Sequence, residues 1–230
     1  MSLTDEELTA LLLSLKVAGV AVVFSLPVGL AVAWLLSRRD FPGKTVLNGL
    51  VHLPLILPPV VTGYLLLLSF GRKGLIGGFL EQSLGLVFSF RWTGAALAAA
   101  VMGFPLLVRS IRLSLDAVDV RLEDAASTLG ASPVRVFLTI TLPLILPGML
   151  AGSILAFAKA MGEFGATITF VSNIPGETQT LASAIYTYTQ VPGGDLAAMR
   201  LTLLSIAVSL LALIASEVFA RRLAARMGTT

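Results

Sequence analysis

Asp119–Pro143 reads DVRLEDAASTLGASPVRVFLTITLP and interrupts a chain otherwise built of long apolar runs. With Asp119, Arg121, Glu123, Asp124 and Arg135 it carries too much charge to lie in hydrocarbon. It is also too patterned for a slack linker. Asp119 can cap a helix, because its carboxylate accepts a backbone N–H and favours the helix dipole. Val118, Leu122, Ala125, Ala126 and Leu129 recur at the spacing of one helical face, with Arg121, Asp124, Ser127 and Thr128 on the other side. Gly130 stops the helix, and Ser132-Pro133 restarts one with Ser at the N-cap and Pro at the first position. The pattern predicts a short amphipathic helix over 119–129 that turns sharply into the next apolar run. The small Ala125 and Ala126 let a second surface approach closely. On physical grounds alone, such a helix lies more often on a membrane surface than in a partner's cleft.

Composition sets the context. The 230 residues are 56% hydrophobic and 13% charged, with a mean hydropathy of +0.93. A soluble domain carries about a quarter charged residues, and about 20 apolar residues in a row span the hydrocarbon as a helix. The fold class is therefore an all-α membrane protein embedded in a lipid bilayer. The net charge of +3 reflects basic residues that flank the spans and indicates no nucleic-acid partner. With no cysteine, disulfides, thiolate catalysis and cysteine metal sites are excluded. A single histidine, His52, makes no metal site by itself, and no catalytic residue or metal ligand is assigned. The acidic start MSLTDEELTA lacks the positive charge of a signal peptide, so the first span is expected to be retained.

Five spans are expected, over about 10–36, 46–70, 92–113, 137–161 and 197–220, within one transmembrane domain covering 1–230. Pro27 and Gly29 point to a bend in the first. Pro54, Pro58 and Pro59 kink the second, and three prolines in one span are tolerated where neighbours or water satisfy the freed carbonyls. That span is expected to line a pathway. Gly71–Arg91 reads as a loop broken by glycines. Ala95–Ala100 offers a small-residue face for close helix packing. The coupling region covers 119–136. Residues 163–196 read as a partly re-entrant hairpin, with turns at 173–176 and 192–195 around a short helix over 181–189.

Orientation follows from the basic residues beside the spans. One set of loops holds Arg38, Arg39, Lys44, Arg109, Arg112, Arg121, Arg135, Arg221, Arg222 and Arg226, and the other holds Arg72, Lys73, Arg91 and Arg200. The bias puts the N-terminus outside, the C-terminus inside and the polar stretch in the cytoplasm.

Asp124-Ala125-Ala126, then Gly130, then Ile140, Leu142 and Pro143 resembles, in its spacing, the motif of ABC-importer permeases that forms a coupling helix in the cleft of a cytoplasmic ATPase. The resemblance implies a coupling role for Glu123, Asp124, Ala125, Ala126, Gly130, Ile140, Leu142 and Pro143. One departure stands out. Asp124 directly precedes Ala125-Ala126, with Glu123 one place earlier, and either carboxylate can take the role of the family's glutamate, which points to a different salt-bridge partner on the ATPase. The chain has no P-loop of its own. Gly43-Lys44-Thr45 lacks the glycine that motif needs five residues earlier, where Arg38 stands. ATP and Mg are thus expected on a separate subunit, and none is expected on this chain.

Phe41-Pro42-Gly43-Lys44, His52-Leu53-Pro54, Leu57-Pro58-Pro59-Val60-Val61, Gly162-Glu163-Phe164-Gly165-Ala166 and Ser172–Thr178 are similar to the permeases of molybdate (tungstate) importers. Sulfate permeases share the Gly162–Ala166 segment. The resemblance implies a homodimer in a prokaryotic plasma membrane, two ATPase subunits and an external oxyanion-binding protein. A tetrahedral dianion is helped by hydroxyls, amides and backbone N–H groups. Candidate pathway residues are Pro54, Pro58, Pro59, Thr167, Thr169, Ser172 and Asn173, with Lys159 and Glu163 as an ionisable pair at membrane depth. A sulfate importer, a secondary anion transporter and a non-transporting scaffold are the alternatives. No internal repeat favours the second, and the prolines of span two argue against the third.

Overall fold

The computed structural model describes residues 4–226, with the side chains of 216, 217 and 219–226 outside the description. Arg221, Arg222 and Arg226 of the charge count, and residues 1–3 of the acidic start, therefore lie outside the described side chains or residues. The described chain is helical: α1 Asp5–Arg38, α2 Lys44–Ile56, α3 Pro59–Phe70, α4 Leu75–Leu84, α5 Trp92–Asp116, α6 Val120–Thr128, α7 Pro133–Val136, a π turn Phe137–Thr141, α8 Leu142–Met161, α9 Gly165–Val171, α10 Leu181–Thr189 and α11 Asp195–Arg226. Four helical stretches are long and apolar enough to cross a membrane, and α2 with α3 makes a fifth if the bent pair is one span.

The packing favours a crossing by the pair. Two apolar clusters mark the ends of the bundle. One gathers Ala10, Val17, Leu66, Met102, Met161, Phe170 and Leu201. The other gathers Leu36, Val51, Leu107, Leu115 and Ile145. Val51 of α2 sits in the second and Leu66 of α3 in the first, so the chain passes from one end to the other between them. At the first end Glu7 meets Arg200, and at the second Arg112 meets Asn48.

The second span differs from expectation. It is not one kinked helix but two, bent by 117° at the break. Each residue before a proline is pushed out of the helical region. Leu57 (ψ 143°) and Pro58 (ψ 133°) are both extended, and Pro59 opens α3, where its missing N–H costs nothing. Pro54 stays inside α2, and α1 continues through Pro27 as one helix. The expected loop 71–91 contains α4, which ends at Gly85 in the left-handed region. Two internal glycines, poor helix formers, masked it. The third span reaches Asp116 and the last runs from Asp195 to Arg226, both longer than expected.

The fourth span begins with a π turn that has no simple sequence signature. It leads directly into Pro143, near the start of α8. Proline lacks the N–H and its ring collides with the carbonyl four residues back, and a widened turn relieves both.

α5 is the hub. Ala95, Ala96, Ala98 and Ala99 are buried among α1, α8 and α9, and the Ser110 hydroxyl donates to the Gly148 carbonyl at 2.9 Å. α9 is buried against α3 and α5 through Ala166, Phe170 and Val171.

Candidate functional site

The polar stretch forms the elements its residues dictate. Asp119 accepts from the Arg121 N–H at 3.0 Å and caps α6. Gly130 adopts φ +86° beyond its end, and Ser132 accepts from the Arg135 N–H to start α7. The apolar face of the amphipathic pattern is largely uncovered. Val118 is buried, but Leu122 and Ala125 are exposed and Leu129 is 89% exposed. α6 turns Glu123 and Ala126 toward the bundle, where Glu123 has polar partners.

Those partners come from two distant elements. Arg38 at the end of α1 lies 3.1 Å from Glu123 Oε1, and the Thr141 hydroxyl donates to the same oxygen at 2.6 Å. A hydrogen-bonded, partly buried pair of this kind fixes orientation more firmly than an exposed one. α6 is thus tied to α1 and to the π turn through one carboxylate. Asp124, its neighbour, is exposed. Ala125, Gly130 and Pro143 are exposed, and Ile140 and Leu142 are half-buried in the π turn and the start of α8. A groove of about 930 Å³ runs beside α6, lined by Trp34, Arg38, Asp124, Val134 and Phe137. Ser37 donates to Asp116, and Arg112 bridges Asp116 and Asn48, so α1, α5 and α2 are joined at this same end. In the loop nearby, Lys44 donates to Asp40 at 2.8 Å and holds that carboxyl below its usual range.

The pathway candidates divide. Lys159 and Glu163 do meet, at 2.9 Å, with the Glu163 side chain 1% exposed. Its other oxygen accepts from the Ala166 N–H at 2.9 Å. Glu163 thereby neutralises Lys159 and satisfies an orphan donor at the start of α9. Thr167 is buried and donates to the Glu163 and Phe164 carbonyls, and Thr169 donates to Gly165. Both hydroxyls are spent on their own helix, so neither offers a free donor. Pro59 packs against Gly165, while Pro58 and Pro59 are exposed and Pro54 half-buried. Ser172 is exposed at φ +66°, a strained conformation for a residue with a side chain. Asn173 donates to Thr187 at 2.7 Å and leaves its buried carbonyl oxygen unpaired. Ser172 and Asn173 lie in the turn at the Glu7 end, apart from Pro54.

Several organising residues escaped the sequence reading. Glu7 caps its own helix with Thr4 and accepts both Arg200 Nε, at 3.1 Å, and Nη2, at 2.6 Å. Ser14 caps α10 by accepting from the Leu181 N–H at 2.7 Å. Burial and the nearby Glu6 and Glu7 raise the Tyr188 hydroxyl's pKa. Partners 167 to 193 residues apart leave no local signal, though an acidic first turn was visible in both Glu6 and Glu7.

The family model described as a binding-protein-dependent transport system inner membrane component matches residues 25–225. The chain belongs to that family. It is a multi-pass protein of the inner membrane. It is 62% identical over 221 residues to the molybdenum transport system permease protein ModB of Escherichia coli, covering 96% of each chain. It is 38% identical to the sulfate transport system permease protein CysW of Synechococcus elongatus, over 75% of this chain and 60% of that one. Among solved structures, a bacterial ABC transporter involved in alginate import superposes with a TM-score of 0.75 at 16% identity, over 96% of this chain and 80% of that one. That likeness is one of fold.

Proposed function

We propose that the chain is the membrane-spanning permease subunit of an ABC importer that carries molybdate, with tungstate as a second cargo, into the cell. The observation that carries this reading is the 62% identity to a molybdenum permease along 96% of the chain. The sulfate relative is more distant and matches a smaller part. The whole of 1–230 acts as one transmembrane domain and pairs with a second copy of itself. ATP and Mg bind separate cytoplasmic ATPase subunits, and an external protein delivers the oxyanion.

In this reading the α6 end of the bundle faces the cytoplasm. The exposed Asp124, Ala125 and Leu129 seat α6 in the ATPase, and Gly130 gives the sharp exit. Because Glu123 is engaged with Arg38 and Thr141, Asp124 is the carboxylate that meets the ATPase. ATP closes the ATPase dimer, α6 moves with it, and the ties to α1 and α8 pass that motion into the bundle. The pathway opens outward to receive the anion, and hydrolysis resets it.

The test is ATPase activity of the reconstituted complex with the binding protein loaded by molybdate or by sulfate. Molybdate-loaded protein is expected to stimulate hydrolysis several-fold over the empty protein. Stimulation by sulfate alone would overturn the cargo assignment.

A further inference from the structure

A cleft of about 650 Å³ opens at the Glu7 end, between α1, the start of α5 and the 174–177 turn, away from α6 and from Glu163. Lys16, Arg72 and Arg91 line it, opposed by the single carboxylate of Glu177. Lys16 is held over the Trp92 ring, 3.7 Å from its centroid, which fixes its position, and it makes no ion pair among the described residues. Arg72 approaches Glu81 only to 3.8 Å, beyond hydrogen-bond distance. Arg91 makes no ion pair among the described residues.

Ser89 supplies an independent observation. It is 4% exposed, and its buried hydroxyl has no hydrogen-bond partner among the described residues. It borders both this cleft and an adjoining one of about 290 Å³ that holds Arg72 and Lys73. A buried hydroxyl without a partner is costly and rare. The next residue, Phe90, sits at φ +58°, unusual for a bulky side chain. Strain beside an unsatisfied donor is the mark of a place shaped for something other than the chain itself. Three cations, one hydroxyl donor and one carboxylate fit an anion whose oxygens accept several hydrogen bonds.

We propose that this cleft binds one tetrahedral oxyanion group, either the phosphodiester of an anionic lipid head group or the free oxyanion. Arg91 and Arg72 supply charge-assisted donors, Ser89 donates its free hydroxyl, and Lys16 contributes charge from above Trp92. The proposal rests on the importer reading only for which membrane face the cleft occupies.

The experiment uses the purified transporter, stripped of lipid in detergent, with two probes. Sodium molybdate is titrated calorimetrically, and phosphatidylglycerol retention is followed by native mass spectrometry against phosphatidylcholine. One anion bound per chain is expected from at least one probe. Retention of phosphatidylglycerol alone identifies the lipid, and molybdate binding alone identifies the free ion. Arg91→Gln should weaken that binding by about tenfold, with partial rescue in Arg91→Lys, because a charge-assisted donor is lost. Ser89→Ala, which leaves packing intact, should weaken it about threefold through loss of one neutral hydrogen bond. Arg109→Gln, at the opposite end, should change nothing. Binding of neither probe, or equal binding by all variants, overturns the proposal. So does a loss of binding-protein affinity in Arg91→Gln with anion binding intact, which makes the cleft a protein-docking surface. Neither readout involves ATP or uptake, so failure of import leaves this result standing, and the reverse.

Discussion

Glu7 has a side chain with no exposed surface, and Arg200, 26% exposed, is its partner. Removing one member of such a pair leaves a buried charge without compensation. Arg200→Met should therefore destabilise the detergent-solubilised protein by about 3 kcal/mol, the low end for a buried pair because water reaches part of the arginine. Glu7→Gln combined with Arg200→Met should recover most of the lost melting temperature. A double variant no more stable than Arg200→Met would show that the pair is not the cause. Gly130 makes a different demand. Its φ of +86° excludes a branched side chain, although a Cβ there would meet open space. Gly130→Val should cost about 1–2 kcal/mol of left-handed strain, confined to the exit of α6. ATP hydrolysis and molybdate uptake should separate, with uptake falling at least several-fold while the protein still reaches the membrane. Normal uptake would count against coupling through this turn. The caps at Asp119, Gly130 and Ser132 were legible in the sequence because capping is local chemistry. The Arg38–Glu123–Thr141 tie was not, since its partners lie 85 and 18 residues apart, and an amphipathic pattern does not reveal which face has an ionic partner waiting.

At the scale of the elements, the long apolar runs announced α1, α5, α8 and α11, and the short 181–189 helix was readable from its turns. The break at Pro58-Pro59 was underread. A proline pair predicts that a helix is disturbed, but only the packing of α3 on α9 sets how far it turns. That packing is unusually close. A Cβ on Gly63 would lie 2.5 Å from the Ala166 carbonyl oxygen and 2.8 Å from its Cα. Both are backbone atoms and cannot rotate away. Gly63→Ala should therefore force α9 off α3 at a cost of about 1–3 kcal/mol, the range for overpacking. Gly19→Ala meets nothing within 4 Å and should be neutral or slightly stabilising. Thermal melts of the two variants side by side check this, and equal melting temperatures would mean that α3 and α9 do not pack as described. Uptake should fall with Gly63→Ala if this joint transmits motion between the broken span and α8 through Glu163.

For the whole molecule, the decisive quantity is the number of crossings, because it fixes which loops share a face. Length and hydropathy alone allow four or five. The 117° bend would suit a re-entrant loop, yet Val51 and Leu66 belong to opposite apolar clusters. With five crossings, the α3–α5 connection and the α10–α11 turn lie on one side, and α6 lies on the other. The basic residues then fall mostly on the α6 side, as a cytoplasmic face requires. The chain has no cysteine, so single cysteines can report each loop without background. Asp40 in the α1–α2 loop, Gln82, Ser127 and Gln190 are exposed positions in the regions that need to be placed. An impermeant maleimide added to spheroplasts should label Gln82→Cys and Gln190→Cys, and should reach Asp40→Cys and Ser127→Cys only in everted vesicles. A re-entrant α2–α3 pair would place Asp40 on the side of Gln82 instead, since α5 separates Gln82 from Ser127 in either topology, and that labelling pattern would remove the fifth span. The two arms separate these failures. If Gln82 and Gln190 label together but only from everted vesicles, while Asp40 and Ser127 label in spheroplasts, the five crossings stand and the orientation inverts. An inverted α6 would have no ATPase to meet, so this labelling also bears on whether ATP-driven motion can enter the bundle at Asp119–Pro143.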